Sequence, residues 1–98
     1  MTIRQDPENS ELDALYKFAG SFAGKRVLEI GCGNGRLTFQ YAAKTALVHA
    51  IDPSAKKIAN AREKLPAHLQ NRLEFWDAGI EDFLATEKYD IALLSWSL

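Results

Sequence analysis

One stretch of the sequence decides the fold that we predict: Val27-Leu28-Glu29-Ile30-Gly31-Cys32-Gly33-Asn34-Gly35. It begins as a short apolar, β-branched run, which predicts a buried strand, and it continues into three glycines spaced two residues apart. Because glycine lacks a Cβ and tolerates positive φ, such a loop lets the main chain approach a ligand closely. A tight turn that uses glycine for its geometry alone is the alternative interpretation.

Strands and helices alternate on both sides of this loop. The predicted strands cover residues 26–30, 46–51, 72–76 and 89–95. The predicted helices cover residues 10–22, 36–44, 53–65 and 80–85. Pro53 and Ser54 are suited to open the third helix, and Pro66 ends it. This order predicts a single α/β unit with three layers, in which helices cover both faces of a parallel sheet.

Length, charge and cysteine content exclude several classes of protein. The 98 residues leave room for one structural unit, and 12 basic and 13 acidic residues form no run of one sign. Without a clustered basic patch there is no clear nucleic-acid signal. The single Cys32 has no Cys or His cluster beside it, which predicts no metal site and favours a cytoplasmic location. No apolar run approaches the length of a membrane span, so we predict no membrane partner.

Polar or small residues follow each predicted strand, at the edge where parallel sheets bind their ligands. The glycine loop follows the first strand, Asp52 the second, Asp77 the third, and Ser95 ends the fourth. Asp52 lies 17 positions after Gly35, close to where an acid meets a ribose in nucleotide-binding βαβ units. Its two oxygens can accept one hydrogen bond from each of two adjacent hydroxyls. A helix cap is the alternative role for this aspartate.

The spacing of the glycines disfavours a dinucleotide. The pattern G-x-G-x-x-G requires its third glycine at position 36, where this sequence has Arg36. A pyrophosphate ligand such as that of NAD is therefore not expected.

The segment from Glu29 to Gly35, with an acidic residue two positions before the first glycine, resembles the first motif of class I S-adenosylmethionine-dependent methyltransferases. The pair Asp77-Ala78 resembles a later motif of this Rossmann-like family, in which the acid accepts from the adenine amino group and the next N–H meets a ring nitrogen. A helix cap is again the alternative for Asp77. The strand that ends at Ser95 resembles the fourth motif, whose end faces the methionine part of the cofactor and the acceptor.

The resemblance implies transfer of the sulfonium methyl group to a nucleophile, with the protein mainly positioning the two reactants. It runs through residues 27–98 and covers the first four strands of the family's order 3-2-1-4-5-7-6. We therefore expect residues 1–98 to form a partial domain that binds the cofactor and ends before most of the acceptor pocket. The cofactor-binding residues that it implies are Glu29, Gly31, Cys32, Gly33, Asn34, Gly35, Asp52, Pro53, Asp77, Ala78 and Ser95.

The acceptor and the catalytic residues stay unassigned, although the missing basic patch favours a small-molecule acceptor. A non-catalytic S-adenosylmethionine-binding module that completes a partner is one alternative, and an NAD-type Rossmann domain is another. As the last strand of four, the apolar run at 91–94 would be an uncovered edge. We therefore expect that edge to pair with a partner chain, for example in a homo-oligomer, or with residues of a longer chain.

Overall fold

The computed structural model describes residues 2–6, 22–84 and 88–95. The strands are β1 Thr2–Asp6, β2 Arg26–Ile30, β3 Leu47–Asp52, β4 Leu73–Asp77 and β5 Ile91–Ser95. The helices are α1 Thr38–Tyr41, α2 Ala55–Lys64 and α3 Glu81–Leu84, with 3₁₀ turns at Ala42–Lys44 and Ala67–Leu69.

All five strands are parallel and lie in one sheet of order β1-β5-β2-β3-β4. The chain moves outward from β2 through β3 to β4 and then returns past β2 to β5. Because such crossovers are right-handed, α1 and α2 belong on one face and the connection through α3 on the other. The predicted three-layer α/β fold is confirmed. Its topological switch point, where open parallel sheets bind ligands, lies between β2 and β5.

The core is largest on the face that carries α1 and α2. Val27, Val48 and Phe75 project from the sheet into one buried cluster with Tyr41 of α1 and Ile58 of α2. A smaller cluster of Leu28, Ile51 and Tyr89 forms on the opposite face. Strands buried on both faces read as continuous apolar runs, which is why these strands could be predicted from the sequence.

Helix α2 has clear signals at both ends. The Ser54 side chain caps it by accepting from the main-chain N–H of Lys57 at 3.3 Å. It ends before Pro66, because a proline disfavours the helical conformation of the residue that precedes it. In its last turn, Arg62 donates from Nε and Nη2 to the Phe75 carbonyl at 3.1 and 2.6 Å. The guanidinium thus covers part of the open edge of β4.

The predicted strands agree with β2 to β5 to within two residues at each end. The helix predicted at 36–44 is shorter, since only Thr38–Tyr41 is α-helical and a 3₁₀ turn follows. The helix predicted at 80–85 is seen as Glu81–Leu84. The leading helix predicted at 10–22 lies outside the described residues except for Phe22, which is buried in the main cluster.

Strand β1 was not expected from the sequence, and it corrects one of our predictions. Thr2–Asp6 pairs with β5 along its whole length, from Thr2 opposite Ile91 to Asp6 opposite Ser95. The expectation that β5 is an uncovered edge is therefore wrong, because residues of the same chain occupy it. Neither side of β5 is left open for a partner chain, and the homo-oligomer stays a prediction.

Removing β1 should make the chain self-associate. A variant that begins at residue 7 would leave the apolar β5 as an edge with unpaired main-chain groups. We expect sedimentation velocity to show larger species for this variant than for the full chain at the same concentration. Equal sedimentation coefficients would contradict the pairing.

Gly31→Ala should destabilise the fold far more than a matched change at Gly24. Gly31 has φ +81°, and a Cβ there would lie 2.2 Å from the main-chain oxygen of Ser95. Gly24 has a similar φ of +68°, but a Cβ there would meet nothing within 4 Å. We expect Gly24→Ala to lower the free energy of unfolding by about 1 kcal/mol and Gly31→Ala by about 3 kcal/mol or more. Urea denaturation of both variants measures the difference, and equal losses would contradict it.

Candidate ligand-binding site

The glycine loop takes the left-handed conformation at three positions: φ is +81° at Gly31, +60° at Gly33 and +86° at Gly35. Two of these glycines are needed by the chain itself. The Ser95 carbonyl fills the space of a Cβ at Gly31, and the rings of Phe75 and Phe39 do so at Gly35, with the nearest atom 2.9 Å away. Our interpretation that a ligand requires all three glycines is therefore incomplete.

Main-chain hydrogen bonds fold the loop over the end of β3. The N–H groups of Gly31 and Cys32 both donate to the Ile51 carbonyl, at 2.9 and 3.1 Å. The N–H of Gly33 donates to Oδ2 of Asp52 at 3.0 Å. The ends of β2 and β3, which the sequence predicted to lie together, are thus in direct contact.

Asp52 connects the loop to the start of α2. Its side chain is only 6% exposed, and Oδ1 accepts from the Ser54 N–H at 2.9 Å while Oδ2 accepts from Gly33. The alternative that Asp52 is the surface cap of α2 is wrong, because the N-cap residue is Ser54. Since each carboxylate oxygen can accept more than one hydrogen bond, capacity remains for two hydroxyls of a ligand. The adjacent Pro53 is exposed.

Asp77 lies directly opposite Asp52 in the pairing of β3 with β4, and its side chain is exposed. The main-chain N–H of Ala78 donates to the Asp52 carbonyl at 3.2 Å. The resemblance assigned that N–H to a ring nitrogen of the adenine, and this geometry does not support the assignment, because the donor already has a partner. This hydrogen bond does not affect the other assignment, of the Asp77 carboxylate to the adenine amino group.

Glu29 lies one layer below the loop and is completely buried, on the face that carries α1. Its Oε1 accepts from the Thr38 hydroxyl at 2.7 Å and from the Tyr41 hydroxyl at 2.6 Å. Its Oε2 has no hydrogen bond to any residue that the structure describes. Burial raises the pKa of the Glu29 carboxyl, against the lowering effect of the hydroxyls of Tyr41, Thr38 and Ser95.

Sequence reasoning missed the two hydroxyls that hold Glu29. Thr38 and Tyr41 are three positions apart in the helix that follows the loop, so they share one face of it. That spacing was the available signal, but it does not indicate by itself which strand residue the face covers.

Cys32 belongs to the core rather than to a reactive site. It is buried within the main cluster, and its Sγ lies 3.6 Å from the Gly33 carbonyl oxygen. Burial raises the pKa of its thiol, and the Glu29 and Asp52 carboxylates raise it further. The thiolate that a nucleophile requires is therefore disfavoured.

Asn34 is exposed at the top of the loop, and Ser95 is buried beneath it at the end of β5. The predicted residues therefore share the carboxyl edge of the sheet but differ in accessibility. Within the described part of the chain, no three His, Cys, Asp or Glu side chains are grouped so that they could hold a metal ion. Nor is any helix of those residues long and apolar enough to cross a membrane.

A separate polar cluster lies on the opposite face of the sheet. His49 Nδ1 is 2.7 Å from the Tyr89 hydroxyl, and His49 Nε2 is 3.5 Å from Oε2 of Glu74. These contacts join β3 to β4 and to the segment that leads into β5. We assign them a structural role, as expected for a histidine inside an apolar strand.

Comparison with known proteins identifies relatives of the chain. Residues 27–98 match a protein family described as a methyltransferase domain. The ubiquinone biosynthesis O-methyltransferase of Nitrobacter winogradskyi is 40% identical over 92 residues, which are 91% of this chain and 34% of the relative. The magnesium-protoporphyrin O-methyltransferase of Rhodobacter capsulatus is 31% identical over 76% of this chain and 33% of its own length.

A solved structure agrees with these sequence matches. The magnesium protoporphyrin IX methyltransferase of Synechocystis PCC 6803, solved with bound S-adenosylmethionine, superposes with a TM-score of 0.69 at 27% identity. The superposition covers 85% of this chain and 41% of that structure. The chain thus spans about a third of the curated relatives, 33% of one and 34% of the other. With its sheet order, its glycine loop and its sequence in agreement, this chain belongs to the methyltransferase domain family.

Proposed function

We propose that this chain binds S-adenosylmethionine at the switch point between β2 and β5 and positions its methyl group for transfer to a small-molecule acceptor. The observation that carries the proposal is the buried Oε2 of Glu29, which precedes the glycine loop in β2 and has no hydrogen-bond partner among the described residues. A buried carboxylate oxygen without a donor is costly, so it favours a ligand that supplies a positive group or a donor.

The cofactor offers groups that match the chemistry of this edge. When bound, it supplies an electrophilic methyl group on a positively charged sulfur. Glu29 would face a positive group of the methionine part, and Asp52 would accept from the ribose hydroxyls while it keeps its bonds to Gly33 and Ser54. Asp77, on the neighbouring strand, would accept from the adenine amino group.

The charge of the site supports this ligand over a dinucleotide. The carboxylates of Asp52 and Asp77 lie side by side along one edge of the sheet, at the ends of β3 and β4. Such an edge attracts a cationic ligand and repels a pyrophosphate. The NAD-type alternative is disfavoured for this reason as well as by Arg36.

The acceptor class is supported by the relatives rather than by the site. Two of them are named as O-methyltransferases, one of ubiquinone biosynthesis and one of magnesium protoporphyrin. A protein arginine methyltransferase of Arabidopsis thaliana also superposes, with a TM-score of 0.74 at 29% identity, so the fold is shared with enzymes that modify proteins. We propose an oxygen atom of a small molecule as the acceptor. The cytoplasmic location and the assignment of residues 1–98 to one partial domain stay predictions.

Asp52→Ala should weaken binding of S-adenosylmethionine by about 1.5 to 3 kcal/mol, roughly 10-fold to 150-fold, because a charged acceptor is lost. Isothermal titration calorimetry measures the affinity, and thermal unfolding reports the separate loss of the bonds to Gly33 and Ser54. Glu63→Ala is the matched control, since it removes the same charge from an exposed position on α2. Unchanged affinity in Asp52→Ala would remove this residue from the site.

We expect a small phenol to accept the methyl group and an arginine peptide not to accept it. We expect S-adenosylhomocysteine to form when a chain extended to the length of the curated relatives is incubated with the cofactor and the phenol, as measured by chromatography. Turnover with the arginine peptide alone would contradict the proposed acceptor class. Cofactor binding without turnover on any acceptor would instead favour the non-catalytic binding module.

A further inference from the structure

Glu29 is enclosed by neutral groups. The described groups that face its carboxyl are the Thr38 and Tyr41 hydroxyls from α1, the Ser95 hydroxyl from β5 and the Cys32 thiol from the loop. None of these groups carries a positive charge. A second acid, Asp52, acts on the Cys32 thiol together with Glu29. It is nearly buried and adds negative rather than positive charge.

The hydrogen bonds at Glu29 are strongly asymmetric. Both hydroxyls of α1 donate to Oε1, and Oε2 receives no hydrogen bond although it is fully buried. This pattern fits a protonated carboxyl whose Oε1 is the carbonyl oxygen and whose Oε2 carries the hydrogen. An ionised carboxylate would leave half of a buried charge without a donor, which costs far more than one unused O–H.

The direction in which the pKa of Glu29 is shifted agrees with its hydrogen-bond geometry. Burial raises the pKa of Glu29 above its ordinary value of 4.5, and the hydroxyls of Tyr41, Thr38 and Ser95 only partly oppose that effect. A positive group placed next to Oε2 would reverse the balance, because an opposite charge favours the ionised form.

We propose that Glu29 is protonated in the ligand-free chain and gives up its proton when a positive group of S-adenosylmethionine binds beside Oε2. The inference rests on the proposed function, since it needs the cofactor to bind at this site. In this step the O–H bond at Oε2 breaks, its electron pair stays on the carboxylate, and the proton passes to water and then to the buffer. Cofactor binding is thereby linked to pH.

The proton linkage makes the affinity for S-adenosylmethionine increase with pH. In the free chain the proton is held up to the raised pKa, and in the complex it is lost at a lower pH. Between these two values binding releases one proton, so the affinity increases with pH by up to about tenfold per unit. Above the raised pKa the free chain is already ionised, and the effect of Glu29 on the affinity levels off.

Calorimetry of the full chain tests the proposal. S-adenosylmethionine is titrated from about pH 5 to about pH 7.5, in pairs of buffers that differ in ionisation enthalpy, so that the protons released can be counted. We expect release approaching one proton at the lower end and an affinity that rises with pH. The control ligand is 5′-methylthioadenosine, which keeps the adenosyl group but lacks the charged methionine part, and it should release none.

Two variants assign the effect to Glu29. Glu29→Gln keeps the size of the side chain and removes its titration, so proton release and pH dependence should disappear. Tyr41→Phe removes a hydroxyl that favours the charged form, so release should persist to higher pH than in the unmodified chain. Circular dichroism establishes that each variant is folded.

The outcomes separate this inference from the proposed function. If S-adenosylmethionine binds without releasing protons, or if Glu29→Gln releases as many as the unmodified chain, the proton linkage is wrong and the cofactor assignment stands. If S-adenosylmethionine does not bind at all, the proposed function and the inference both fail.

Discussion

The close approach of β5 to β2 is the constraint on which the site depends. The Ser95 carbonyl takes the space that any side chain at Gly31 would need, so the two strand ends meet backbone to backbone. From that point the glycine loop turns across β3 and is held there by Ile51 and Asp52. A larger residue at Gly31 would separate the strands at the switch point, and the loop, the Asp52 carboxylate and the buried Glu29 would no longer share one edge.

The carboxyl groups of Glu29, Asp52 and Asp77 have different roles in the site because they are buried to different extents. Glu29 is completely buried, Asp52 is nearly buried but hydrogen-bonded by two main-chain donors, and Asp77 is exposed. Two main-chain N–H groups hold the Asp52 side chain in place, whereas Glu29 accepts only from hydroxyls, and on one of its two oxygens. The Asp52 carboxylate is thus fixed in position at the end of β3, whereas the Glu29 carboxyl in β2 can change its protonation state.

The strands and the positions of the site residues could be predicted from the sequence, because buried parallel strands are apolar runs and their carboxyl ends must meet. Strand β1 could not, since Thr2–Asp6 contains four polar or charged residues without a regular alternation and gains its order from pairing with β5. The hydrogen-bond partners of individual groups could not be predicted either. Nothing in the sequence indicates that Thr38 and Tyr41 converge on Glu29, or that the Ala78 N–H bonds to the Asp52 carbonyl.

The position of β5 between β1 and β2 has a consequence for the order of folding. Thr2 pairs with Ile91, 89 positions later, so β1 has no partner in this sheet until β5 has been made. Strand β5 must enter a slot between two strands that are both already synthesised, which requires closure of a very long loop. Pairing between positions so far apart in the sequence slows folding, because the entropy of closing the loop is lost before the contacts form.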